Sequence, residues 1–131
     1  MRFVAYLTFA AGITLAVSAQ AHHSFAMFDR ETLISLEGTV TEFEFVNPHS
    51  WLYLETVDAE GQTEEWTIEM GGPGAMSRNG WSADTLKPGD EIVVEIHPLK
   101  DGTYGGQYLN ATLPDGTTIA GGDTGLPGRA R

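Results

Sequence analysis

The 131-residue chain contains no cysteine. That excludes disulfides, thiolate zinc sites, iron–sulfur clusters and thiol nucleophiles. Basic residues are scarce: seven Lys and Arg stand against 18 Asp and Glu, a formal net charge of −11. A chain so poor in cations is ill suited to a nucleic-acid backbone or an anionic lipid surface, both of which are bound through Lys and Arg. Long apolar runs are nearly missing as well. The single uncharged one, Phe3 to Val17, has 15 residues, short of the roughly 20 needed to span a bilayer.

What is present at the N-terminus is an export signal. Arg2 gives the positive start, Phe3 to Val17 the apolar stretch, and Ala19-Gln20-Ala21 the small-x-small pattern of a cleavage site. Residues 1–21 are therefore expected to be removed, leaving a periplasmic or secreted protein that starts at His22 and has no membrane segment. Cleavage leaves 110 residues (131 minus 21), enough for one domain with an ordinary core. Arg2 goes with the signal, so six basic residues remain against 18 acidic ones, a net −12. Such a field concentrates cations, although it also simply keeps an exported domain soluble.

Turn-forming pairs recur along the mature chain: Asn47-Pro48, Glu60-Gly61, Asn79-Gly80, Gly89-Asp90, Asp101-Gly102 and Asp115-Gly116. Between most of them run β-branched and aromatic segments with alternating polarity, which predict strands. These fall at about 35–46, 51–57, 65–70, 91–97 and 106–113, with a brief last strand at 117–120. In the first, Leu36, Gly38 and Val40 share one face but Phe43 and Phe45 the other, so a bulge or bend is expected midway. Residues 71–87 break the rhythm; a short helix is expected at 73–79, with Trp81 plugging the core. Three strands, a helical insert and two more strands predict a mainly β domain over 22–120, an OB-fold-like five-stranded barrel with the insert between strands 3 and 4. A β-sandwich is the alternative, but it gives no reason for the insert. Residues 121–131 lack apolar content and are expected to form a disordered tail.

Four histidines can carry chemistry: His22, His23, His49 and His97. A free α-amine has a pKa of about 7.7–8, so a metal can displace its proton near neutrality. If His22 is the first residue, its amine and Nδ1 close a six-membered chelate, to which His23, His49 or His97 can add an imidazole. Such a nitrogen-rich set suits copper best, with zinc and nickel as competitors. In an OB barrel the loop holding His49 lies near the end of the fourth strand, where alternation places His97 outside the core. The competing reading is structural: a solvated N-terminus, a turn cap at His49 and a surface strand residue at His97. No close-spaced metal motif decides between them.

Trp51 and Tyr53 face outward beside Glu55, Glu65, Thr67 and Glu69, an aromatic–acidic face. It suits a sugar, a cationic small ligand or a partner protein through Trp51, Tyr53 and Glu69, unless the N-terminal segment covers it. Catalysis is the weakest reading. There is no nucleophile elbow, and the clustered glycines precede no Lys-Ser/Thr. An oxidase built on an N-terminal copper site ranks third. The expected protein is a non-enzymatic binder of a metal ion or small ligand.

The motifs A-H-H-S-F-A-M-F-D (Ala21 to Asp29), L-E-G-T-V (Leu36 to Val40), N-P-H (Asn47 to His49), W-x-I-E (Trp66 to Glu69), G-W, K-P-G-D and H-P-L-x-D-G (His97 to Gly102) span nearly the whole mature chain. Together they resemble a family of short exported proteobacterial proteins known only as a domain of unknown function. The resemblance implies a periplasmic setting and a compact β domain. It supplies no activity and no catalytic residue, but its motifs include all four histidines.

Overall fold

A computed structural model describes residues 25–121. Residues 1–24, which include the expected signal, His22 and His23, and residues 122–131 of the expected tail lie outside the described residues. The elements are β1 (Ile34–Glu44), β2 (Trp51–Val57), β3 (Thr63–Glu69), α1 (Pro73–Ser77), β4 (Glu91–Pro98), β5 (Gly105–Thr112) and β6 (Thr118–Ala120). They form one sheet in the order β3-β2-β1-β4-β5-β6, and parallel pairing of β3 with β5 closes β1 to β5 into a barrel. This is the expected OB arrangement, with its helix between β3 and β4. Among the described residues no helix is long and apolar enough to cross a membrane.

β1 serves two partners. It pairs with β4 over Ile34 to Thr39 and with β2 over Thr39 to Glu44. The register slips between Val40 and Glu42, where the sequence phase changes. An extra residue there bends the strand, so one long segment can coil across both halves of the barrel. Gly38 sits at the handover, and a Cβ on it would collide with the Glu55 carbonyl of β2. The alternation then does its work: Leu52 and Leu54 of β2, Ile68 of β3, and Val94 and Ile96 of β4 are fully buried.

The insert closes one end of the barrel. α1 starts at Pro73 and stops two residues earlier than the sequence suggests, before Gly80 adopts φ 90°. Trp81 follows and is buried, its Nε1 donating to the Ala120 carbonyl at 2.9 Å. The Tyr108 hydroxyl, also fully buried, donates to the neighbouring Ile119 carbonyl at 2.6 Å. Burial pushes this phenol far above its ordinary pKa, so it remains a donor. These two bonds fasten β6 to the core.

Candidate functional site

The outer wall of the barrel carries a row of side chains at one level. Glu44 on β1 opposes Trp51 on β2, Trp51 opposes Glu69 on β3, Glu69 pairs with Gln107 on β5, and Gln107 with His97 on β4. All face away from the core, because their neighbours Leu52, Ile68, Tyr108 and Ile96 face into it. The strand alternation therefore determines both the core and this polar row.

A strap, residues 25–32, crosses the row. Phe28 forms an isolated bridge with Leu99 and is buried. The Asp29 amide donates to the Pro98 carbonyl at 2.8 Å, and the Lys100 amide to the Met27 carbonyl at 2.9 Å. Lys100 Nζ reaches the Ala26 carbonyl at 2.8 Å. The strap explains why His97 is 8 % exposed and not a surface residue. Alternation put its ring outside the core correctly, but the strap covers that side. His97 Nδ1 lies 2.8 Å from the Thr32 carbonyl. A carbonyl only accepts, so Nδ1 carries the proton and holds the end of the strap.

The strap turns on Asp29, whose carboxylate accepts from the Thr32 hydroxyl at 2.7 Å and the Glu31 amide at 3.2 Å. Those bonds, the hydroxyl first, hold the carboxyl below its ordinary value of 3.8. A depressed carboxylate adds stability above its unfolded pKa and loses it as pH falls through the folded one. The protection factors of the Glu31 and Thr32 amides are therefore expected to fall on acidification below about pH 4. Unchanged relative protection there would show that the turn does not depend on the ionised Asp29.

His49 follows the cis Asn47-Pro48 peptide in the β1–β2 loop. Backbone bonds tie that loop to the end of β3, from the Ser50 amide to the Gly71 carbonyl at 3.0 Å and from the Met70 amide to the Ser50 carbonyl at 2.9 Å. His49 Nδ1 is thereby placed 2.5 Å from Glu69 Oε1. The carboxylate accepts, so Nδ1–H is the donor and Nε2 keeps a lone pair for another partner. Beside the pair lies a cavity of about 170 Å³ whose lining includes Pro48, His49, Glu69, Ala75, Gln107 and, from the strap, Phe25.

Glu69, read from the sequence as part of an aromatic face, thus works as the orienting partner of His49. His49 and His97 share one rim, but Gln107 and Glu69 intervene, and no three His, Asp or Glu side chains converge as a metal-holding group among the described residues. Trp51 lines a second, separate groove with Met27, Phe28 and Glu69. Tyr53 is half-buried and donates to Glu44 at 3.3 Å. Sequence reasoning missed Gln107 and Tyr104; only the alternation around Tyr108 signalled Gln107, and nothing distinguished Tyr104 from an ordinary loop residue.

The fold and site define an OB-type barrel with a strap over its outer wall and a histidine–carboxylate pair at the rim. The chain belongs to the family of unknown function DUF6152, whose sequence profile matches residues 11–109. No curated protein and no solved structure matches the chain.

Proposed function

We propose that this is an exported, periplasmic, non-enzymatic domain that binds a divalent transition-metal ion, copper first, at the rim beside His49. One observation carries the reading. Phe25 lines the same cavity as His49 and Glu69. His22 is three residues before Phe25, and three residues span at most about 11 Å of chain. A chain beginning at His22 therefore starts within reach of the His49 ring.

In this reading His22 contributes its α-amine and Nδ1, and His49 its Nε2. Glu69 fixes the His49 tautomer, the usual job of a carboxylate behind a metal-bound imidazole. His23 is the further imidazole on the same segment. His97 acts from the side, through the Thr32 carbonyl that anchors the strap. Zinc and nickel compete for the same nitrogen set. The proposed export rests on Phe3 to Val17 and the Ala19-Gln20-Ala21 pattern.

The test is a copper titration of protein beginning at His22, the same protein with one extra residue before it, and His49→Ala. Each change is expected to weaken copper binding at least about tenfold, the least that disturbing even an outer-shell partner usually costs. The nitrogen hyperfine pattern of bound Cu(II) should lose ligands in step. Equal affinity of extended and unextended protein would rule out the amine chelate.

A further inference from the structure

We propose that the groove between the strap and the β4–β5 loop is a binding site for an arginine side chain of a partner polypeptide. The groove has a volume of about 250 Å³ and lies on the outer wall over β2, β3 and β5. Trp51 and Tyr104 supply its aromatic surfaces, Met27 and Leu99 its aliphatic ones, and Gly105 a floor without a side chain. Met27 and Tyr104 are each 50 % exposed, so the rim is open to a chain larger than the groove. The Tyr104 ring is braced 5.2 Å from Trp66.

Charge selects the occupant. Glu69 lines this groove as well as the rim cavity, with its side chain only 17 % exposed. Its Oε1 is engaged by His49, whereas Oε2 has no hydrogen-bond partner among the described residues. At the outer edge Glu64 raises the pKa of the Tyr104 phenol, through a hydrogen bond first and its negative charge second, so a further carboxylate stands there. An anion is repelled by such a site, and an apolar ligand would bury the second Glu69 oxygen without a partner, which is costlier for a charged group than for a neutral one. A metal ion is poorly served, since Glu69 is the sole carboxylate or imidazole among the lining residues.

An organic cation meets every wall. Its charge pairs with Glu69, its π-facing side lies on Trp51 or Tyr104, and its aliphatic stem follows Met27 and Leu99. Guanidinium fits better than ammonium because it is planar, weakly hydrated and stacks on aromatic rings while donating sideways. The inference is independent of the metal reading, because it needs neither His22 nor a bound ion.

The experiment uses metal-free full mature protein and blocked glycyl-arginyl-glycine, with the citrulline analogue as the neutral isostere and agmatine as the free guanidine. The arginine peptide should bind with a Kd on the order of 1 mM, a realistic strength for one side chain. It should shift the Trp51 indole N–H resonance and leave that of Trp81, buried in the core and bonded to Ala120, in place. Tyr104→Ala and Trp51→Leu are each expected to weaken binding about three- to fivefold, the worth of an exposed cation–π contact. Tyr104 is half exposed, so its variant should fold normally even if Trp51→Leu does not. Equal binding of the citrulline peptide, a stationary Trp51 signal, or a response to agmatine without one to the peptide would overturn the proposal.

Discussion

Replacing Trp81 with alanine is expected to cost the domain about 3–5 kcal/mol, the range for removing a large buried aromatic side chain. Trp81 is 2 % exposed and touches three structural systems. Its ring lies 5.7 Å from Phe43 of the bent β1 and 5.5 Å from Tyr108 of β5, edge-on to the latter at 86°. Its Nε1 donates to Ala120, so the substitution also leaves a β6 carbonyl without a partner. Domains of this size are stable by only about 5–15 kcal/mol in total, so the variant should sit near the edge of folding. At about 4–8 °C per kcal/mol, its Tm should fall by roughly 12–40 °C. Trp81→Phe should recover much of that loss, since it refills space but not the hydrogen bond. A drop below about 5 °C for alanine would mean that the insert closes the barrel without relying on this side chain.

That role of Trp81 was readable in advance, as was most of the barrel. Strands announce themselves by period-two alternation, and here the alternation is clean in Trp51 to Val57 and Glu91 to Ile96 because one face is core and the other is not. The bulge in β1 was readable for the same reason: a phase change has one cheap structural explanation. β3 runs from Thr63 to Glu69, earlier than its apolar residues suggest, because pairing with β2 continues out to Val57 opposite Thr63. Backbone pairing does not require an apolar residue at every step.

The site was less legible. Alternation tells which face a residue occupies but not what covers that face. Alternation sets His97 outside the core, and so it is, yet no local pattern reports what covers it: Thr32 holds its ring from 65 residues away, and Phe28 bridges Leu99 two residues further along. The His49–Glu69 pair depends on the β1–β2 loop packing on the end of β3, a tertiary contact between residues 20 apart in sequence. Gln107 enters the row through the parallel β3–β5 seam, which no sequence period encodes.

Phe28→Ala is expected to undock the strap while leaving the barrel folded. Phe28 is 3 % exposed, and its cover comes from the outer wall rather than from the barrel core. Losing a buried phenylalanine costs about 3–5 kcal/mol. The strap's remaining ties are the Asp29 and Lys100 amide bonds, the Lys100 ammonium contact and the His97–Thr32 bond. Each is worth about 0.5–1.5 kcal/mol net, and those bonds must also offset the entropy of ordering the segment. The strap amides should therefore exchange at least about a hundredfold faster in the variant, as expected of a locally opening unit. Exchange at Leu54 and Val94 should stay close to that of the parent protein. Parallel loss of protection in strap and barrel would show instead that the two unfold as one unit. The same variant separates the two proposed sites from the fold that supports them. Undocking takes Phe25 from the His49 cavity and Met27 from the groove, so copper affinity and arginine-peptide affinity should both fall while the barrel persists. If copper affinity held with the strap released, the metal would have to be bound without His22 being delivered to the rim.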